Sequence, residues 1–144
     1  MNEATPVFRS RPQWMLPIAV IAIVFGIATI VSGGKSLFTD AGRTAAGSYV
    51  PFVLWFNFLA GFAYVVAGAG LAQGRKWTAS FAIFIATATG LVFGLFLFQI
   101  FRGQAYEMRT VYAMILRFGF WLVVALLCSR VCQTTNVVNQ AGVK

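Results

Sequence analysis

Arg117 stands near the middle of VYAMILRFGFWLVVALLCSR, Val111–Arg130, a run that is otherwise almost wholly apolar. It is the strongest chemical feature of the chain. A guanidinium carries five N–H donors and keeps its charge at any ordinary pH, so it needs acceptors, water or an anion. If the run is a helix opening at Tyr106, Arg117 lies about 16 Å along it, near mid-membrane and too far for comfortable snorkelling. An arginine at the centre of a membrane helix costs roughly 2.5–3.5 kcal/mol on the insertion scale. Asn57 near the start of the second apolar run, Gln99 near the end of the third, Thr87, Thr89, Tyr64 and Tyr112 supply polar atoms in the same half. The expectation is a polar pocket around Arg117, with Arg117, Asn57, Gln99 and Tyr112 as its ligand- or partner-binding residues. Its occupant would be an anion, a quinone headgroup or a carboxylate of a partner subunit. The competing reading is a structural arginine bonded to Asn57 and to helix carbonyls.

Other chemistries find little support. The chain has no His, which removes the commonest general base and the commonest zinc ligand. Glu107 is the one acid near Arg117 in sequence. Ten residues of helix put it about 15 Å away axially, so a surface partner among Arg43, Arg102 and Arg109 is expected instead. Cys128 and Cys132 are spaced i, i+4, which suits a disulfide poorly on a rigid helix, and they are read as inert thiols. "SGGKS" has the ending of a phosphate-binding loop without its spacing. No carboxylate falls in the interior of an apolar run, as proton-coupled transport usually requires. No catalytic residue, metal site or cofactor is expected.

Such an arginine needs elements to hold it. Of 144 residues, 60% are hydrophobic, 16% aromatic and 10% charged, where a soluble domain has about 25% charged. Lipid must therefore be the solvent for most of the chain. Four apolar runs, about 15–32, 51–72, 77–101 and 106–131, are each long enough to cross a hydrocarbon core of about 30 Å. None alternates apolar and polar as a barrel strand does, and helices satisfy their own backbone in lipid. The fold expected is all-α, one domain over 1–144: a multi-pass antiparallel bundle of four transmembrane helices.

The first run is long for a signal-peptide core and no A-x-A site closes it, so it too is read as a span. Trp14 suits an interfacial anchor. "QGRK" and "RGQA" are links short enough to force antiparallel neighbours. The longer first connection holds a short surface helix opening near Thr39 and Asp40 and ending at Gly47. The tail after Val131 is polar and expected to be loosely ordered.

The net charge is +8, but the basic residues flank apolar runs singly rather than clustering, which argues against nucleic acid. Arg9, Arg11, Arg75, Lys76, Arg130 and Lys144 fall on one side, and Lys35, Arg43, Arg102 and Arg109 on the other. The larger set faces the cytoplasm by the positive-inside rule, placing both termini there. Small residues recur every fourth position at Ala82, Ala86, Gly90 and Gly94. Ala60, Ala63, Ala67 and Gly70 form a second stripe, and Ala22, Gly26 and Gly33 a third. Such stripes let helix backbones approach, inside the monomer or between the subunits of a homo- or hetero-oligomer.

"FGIATIVSGGKSLF" followed by "FNFLAGFAYVVAGAGLAQGRKWTA" resembles the small four-helix DoxX-like membrane proteins. The likeness lies in a Gly then Lys at the close of the first helix, and in Leu59, Ala60, Gly61, Gly68, Arg75 and Lys76. It implies an accessory subunit of a membrane redox complex acting near the quinone pool. Asn57 stands in the neighbourhood of that family's acidic residue in the second helix, so no catalytic role is carried over. The reading is a non-catalytic protein of the bacterial inner membrane, an accessory or scaffolding subunit. Its rivals are a small oligomeric anion channel or carrier using Arg117, and a DoxX-like quinone-linked redox subunit.

Overall fold

The computed structural model describes residues 13–47 and 50–141, with side chains through Arg130. Those residues form five helices: α1 (Met15–Phe38), α2 (Asp40–Ala46), α3 (Pro51–Ala72), α4 (Trp77–Phe101) and α5 (Met108–Ala141). There is no strand among them. Four stretches are long and apolar enough to cross a membrane: α1, α3, α4 and Met108–Arg130 of α5.

α3 and α4 have the bounds of their apolar runs, whereas α1 and α5 are longer. α1 continues through Gly33 and Gly34 to Phe38 because these glycines do not end it. They let it pass close to α3, where a Cβ on Gly33 would lie 3.2 Å from the Phe58 Cβ. α5 starts two residues later than expected. The Glu107 carbonyl accepts from the amides of Thr110 at 2.9 Å and Val111 at 3.4 Å, so Glu107 precedes the helix rather than sitting in its first turn. At the far end the loosely ordered tail is corrected: the backbone stays helical to Ala141. No Gly or Pro stands between Gly119 and Gly142 to break it.

The two tight links share one device. Gly74 and Gly103 have φ of +64° and +81°, a conformation that glycine adopts without steric cost. Beyond them the amides of Arg75 and Gln104 return to the carbonyls of Gly70 and Gln99, at 3.0 and 3.2 Å. These bonds satisfy carbonyls that the ends of α3 and α4 would otherwise leave open.

The closest backbone packing joins α1 to α3 and α4 to α5. Along the α1–α3 seam, Ala19 meets Gly68, Gly26 meets Gly61 and Gly33 meets Phe58, so residue numbers rise along one helix as they fall along the other. α5 meets α1 and α3 through rings instead. Phe25 and Phe120 centroids are 5.9 Å apart and those of Tyr64 and Trp121 5.0 Å. Ala22, Tyr64, Ala67, Leu71, Ala82, Trp121 and Val124 close this core. The outward faces carry large apolar side chains such as Val24, Leu59, Phe84, Leu91, Leu95 and Phe98, each more than half exposed. A surface of that kind suits lipid rather than water.

Candidate functional site

Where α1, α2, α3 and the first turns of α5 come together, they enclose a cavity of about 350 Å³. α1 contributes Thr29, Ser32, Lys35 and Ser36; α3 contributes Val53, Leu54 and Asn57; α5 contributes Arg109, Thr110, Ala113 and Arg117. Of the α5 residues, Thr110, Ala113 and Arg117 fall at spacings of three and four, one stripe of a helix, with Arg109 one turn before Ala113. Farther along α5 the same face carries Met114, Trp121, Val124 and Cys128, all buried, so this is the face turned inward.

α2 supplies Gly42, Ala45 and Ala46 as the fourth wall. It is held there by its own sequence. The Thr39 hydroxyl donates to the Lys35 carbonyl at 2.8 Å and accepts from the Gly42 amide at 3.0 Å, which caps the helix. The Arg43 guanidinium donates to the Leu37 carbonyl at 3.1 Å. Gly42 is packed onto the Lys35 carbonyl with no room for a side chain. From α5, Arg109 Nη2 donates to the Ala45 carbonyl at 2.6 Å, tying the wall to the start of that helix.

The lining is electrically one-sided. Among the described residues, Lys35, Arg109 and Arg117 bring three cations and no Asp or Glu lines the cavity. Asp40 points away, its carboxylate 4.0 Å from Arg43 on the exposed side of α2. The side chain of Glu107 lies against Gly47.

Arg117 turns inward, with Cζ 5.8 Å from the centroid of the Phe25 ring, within range of a cation–π contact. Its Nε is buried and has no hydrogen-bond partner among the described residues. The expected bond to Asn57 is not made. Asn57 is only 7% exposed and its Oδ1 is likewise buried without a partner. The two residues stand on different walls of one cavity, and the space between them replaces the direct contact. A buried polar atom left unpaired costs about 1–3 kcal/mol, more for a charged group. Both residues contribute to the lining of the cavity.

Of the residues read from sequence as binding, the structure brings Arg117 and Asn57 together and leaves two elsewhere. Gln99 is at the end of α4, outside the lining, and Tyr112 is 65% exposed on the far side of α5. Tyr112 precedes Ala113, so its side chain is turned about 100° from the lining residue. In the α4 stripe Ala82 and Ala86 are buried and Gly90 abuts Phe118, but nothing lies within 4 Å of a Cβ placed on Gly94. Cys128 is a buried free thiol far along α5; the side chain of Cys132 lies outside the described residues. Sequence reasoning missed Lys35 and Arg109 as lining residues, treating them as membrane-flanking charges. It also missed Phe25, which looks like any other core aromatic.

Below Arg117 the interior is closed. Tyr64, Ala67, Leu71, Trp121 and Val124 are each at most 1% exposed. The cavity thus reaches from one end of the helices to the level of Arg117; of its three cations Arg117 is partly buried, and Lys35 and Arg109 are exposed. No protein-family model matches this chain, and no curated protein or solved structure matches it.

Proposed function

We propose that this is an integral protein of the bacterial inner membrane, its four long helices forming an antiparallel bundle, and that it binds an anionic group in the basic cavity. The observation that carries the reading is Arg117, its Nε buried and unpartnered, in a lining that also holds Lys35 and Arg109 and, among the described residues, no carboxylate. A cation held out of water is stabilised by an opposite charge far more strongly than an exposed one. An incoming anion supplies that charge. With both termini cytoplasmic, as the flanking charges favour, the cavity opens on the outer face.

Binding fits better than conduction. A channel needs a path to the other side, and the tightly packed residues below Arg117 speak against one within a single chain. The accessory-subunit reading shares the same cavity, with a partner's carboxylate as the anion.

Thermal unfolding of the protein in mild detergent, with and without phosphate, sulfate and acetate, tests the proposal. A ligand present at a hundred times its Kd adds about 2.7 kcal/mol to the stability of the state that binds it. Wild type should be stabilised by at least one of these anions, and the Arg117→Gln variant should not. A wild-type protein indifferent to all three, or a variant that responds equally, would sink the anion-site reading. Native purification that returns a second polypeptide, lost in Arg117→Gln, would favour the accessory subunit.

A further inference from the structure

Resting on the anion-binding reading, we infer that the ligand is an organic phosphate whose carbon scaffold carries a hydroxyl: a polyol phosphate, free in water or as the headgroup of a lipid. Three observations lead there independently of one another.

The first is charge. Lys35, Arg109 and Arg117 present three positive charges, with no acid in the lining among the described residues. A carboxylate would offset one of them, whereas a phosphate monoester brings about −1.5 to −2 and three acceptor oxygens. Arginine also recognises phosphate through paired N–H donors.

The second is size. A water's share of liquid volume is about 30 Å³, so 350 Å³ has room for roughly ten. A bare four-oxygen anion would leave more than half of that space empty. Organic ligands occupy sites of about 300–1,000 Å³. Val50, Val53, Leu54 and Ala113 offer carbon surface against which a short carbon scaffold packs.

The third is Asn57, nine-tenths buried with an unpartnered Oδ1. Asn57 lines the cavity, and an anionic oxygen can pair only with the NH2 donors of its amide, whereas a hydroxyl can pair with either side of it. Whichever way the amide is turned it keeps one acceptor and two donors, and a hydroxyl is matched to either.

The experiment uses the full chain in mild detergent and in nanodiscs. Soluble probes are inorganic phosphate, ethyl phosphate, glycerol 3-phosphate and acetate, with Kd read by calorimetry. The lipid arm compares nanodiscs containing phosphatidylglycerol phosphate, whose headgroup ends in a phosphate monoester on a hydroxylated scaffold, with nanodiscs of phosphatidylcholine alone, reading lipid retained by native mass spectrometry. Glycerol 3-phosphate should bind at least about tenfold tighter than inorganic phosphate, or phosphatidylglycerol phosphate should be retained selectively; tenfold corresponds to about one satisfied buried hydrogen bond. Soluble binding alone assigns the water-borne source, and selective retention alone assigns the lipid. Asn57→Leu should erase the preference for glycerol 3-phosphate over ethyl phosphate, and a preference that survives in that variant would overturn the assignment of the hydroxyl to Asn57. The wild-type comparison stands even if that variant does not fold. Equal affinity for inorganic phosphate and glycerol 3-phosphate, or binding of acetate alone, without selective lipid retention, would overturn the inference and leave the anion site standing. Failure of every soluble probe together with unselective lipid retention would remove both.

Discussion

Gly26 and Gly61 meet across α1 and α3 with nothing between their backbones. A Cβ added to Gly26 would lie 2.8 Å from the Gly61 carbonyl oxygen, and one added to Gly61 would lie 3.0 Å from the Gly26 carbonyl oxygen. Because the obstacle is backbone, a side chain cannot be accommodated by a rotamer change, and the helices must separate. Gly26→Val and Gly61→Val should each lower stability by about 1–3 kcal/mol, the usual cost of overpacking. The midpoint of thermal unfolding in detergent measures this, and an unchanged midpoint would show that the seam is looser than described.

The α4 stripe divides sharply. A Cβ on Gly90 would come within 2.8 Å of the Phe118 ring, while one on Gly94 meets open space. Gly90→Leu should therefore destabilise the monomer, and Gly94→Leu should leave it within about 0.5 kcal/mol of wild type, as open-surface substitutions do. Unfolding midpoints of the two variants side by side decide the matter. A loss of stability at Gly94 that depends on protein concentration would reveal a second chain seated on that face.

Removal of the Arg117 guanidinium should not unfold the protein. Burial of this charge carries an insertion penalty of about 2.5–3.5 kcal/mol, and its Phe25 contact returns only about 0.5–2 kcal/mol. In anion-free detergent Arg117→Leu should unfold at or above the wild-type temperature. A large drop would mean that Arg117 is chiefly structural.

The fourth wall depends on Thr39 and Gly42. Thr39→Ala removes the cap of α2, a loss of about 1 kcal/mol, and Gly42→Ala pushes α2 away from the Lys35 carbonyl. Either change should speed amide hydrogen exchange across Asp40–Ala46 without altering exchange in α3. Protection that persists in both variants would show that the Arg109 bond to Ala45 holds the wall alone.

How much of this could be read in advance follows from what kind of signal each feature leaves. Long apolar runs announced the helices, and Thr39, Asp40 and Gly47 marked both ends of α2, because caps are written in local residue types. Arg117 and Asn57 stood out since polar groups inside apolar runs are rare. The seam was only half visible. Gly26 and Gly33 were singled out, but on α3 the stripe Ala60, Ala63, Ala67 and Gly70 drew notice, whereas Gly61 and Gly68 make the backbone contacts. Adjacent stripes of small residues look alike until the facing helix is known. Lys35 and Arg109 escaped because a basic residue at a helix end is the commonest sight in membrane sequences. Only the folding back of α2 turns those two into the wall of a cavity.

The seam also constrains how the gene can change. Every single-base substitution that alters a glycine codon installs a side chain or a stop, and alanine is the smallest replacement available. At Gly26, Gly61 and Gly68 even that methyl meets backbone or a neighbouring branch at 3.0 Å or less, so no conservative step exists. Gly94 and Gly119, which face open space, accept such steps freely. Among descendants of this gene, inherited variation should accumulate at Gly94 and Gly119 and be purged at the three seam glycines, whatever ligand the cavity has come to hold.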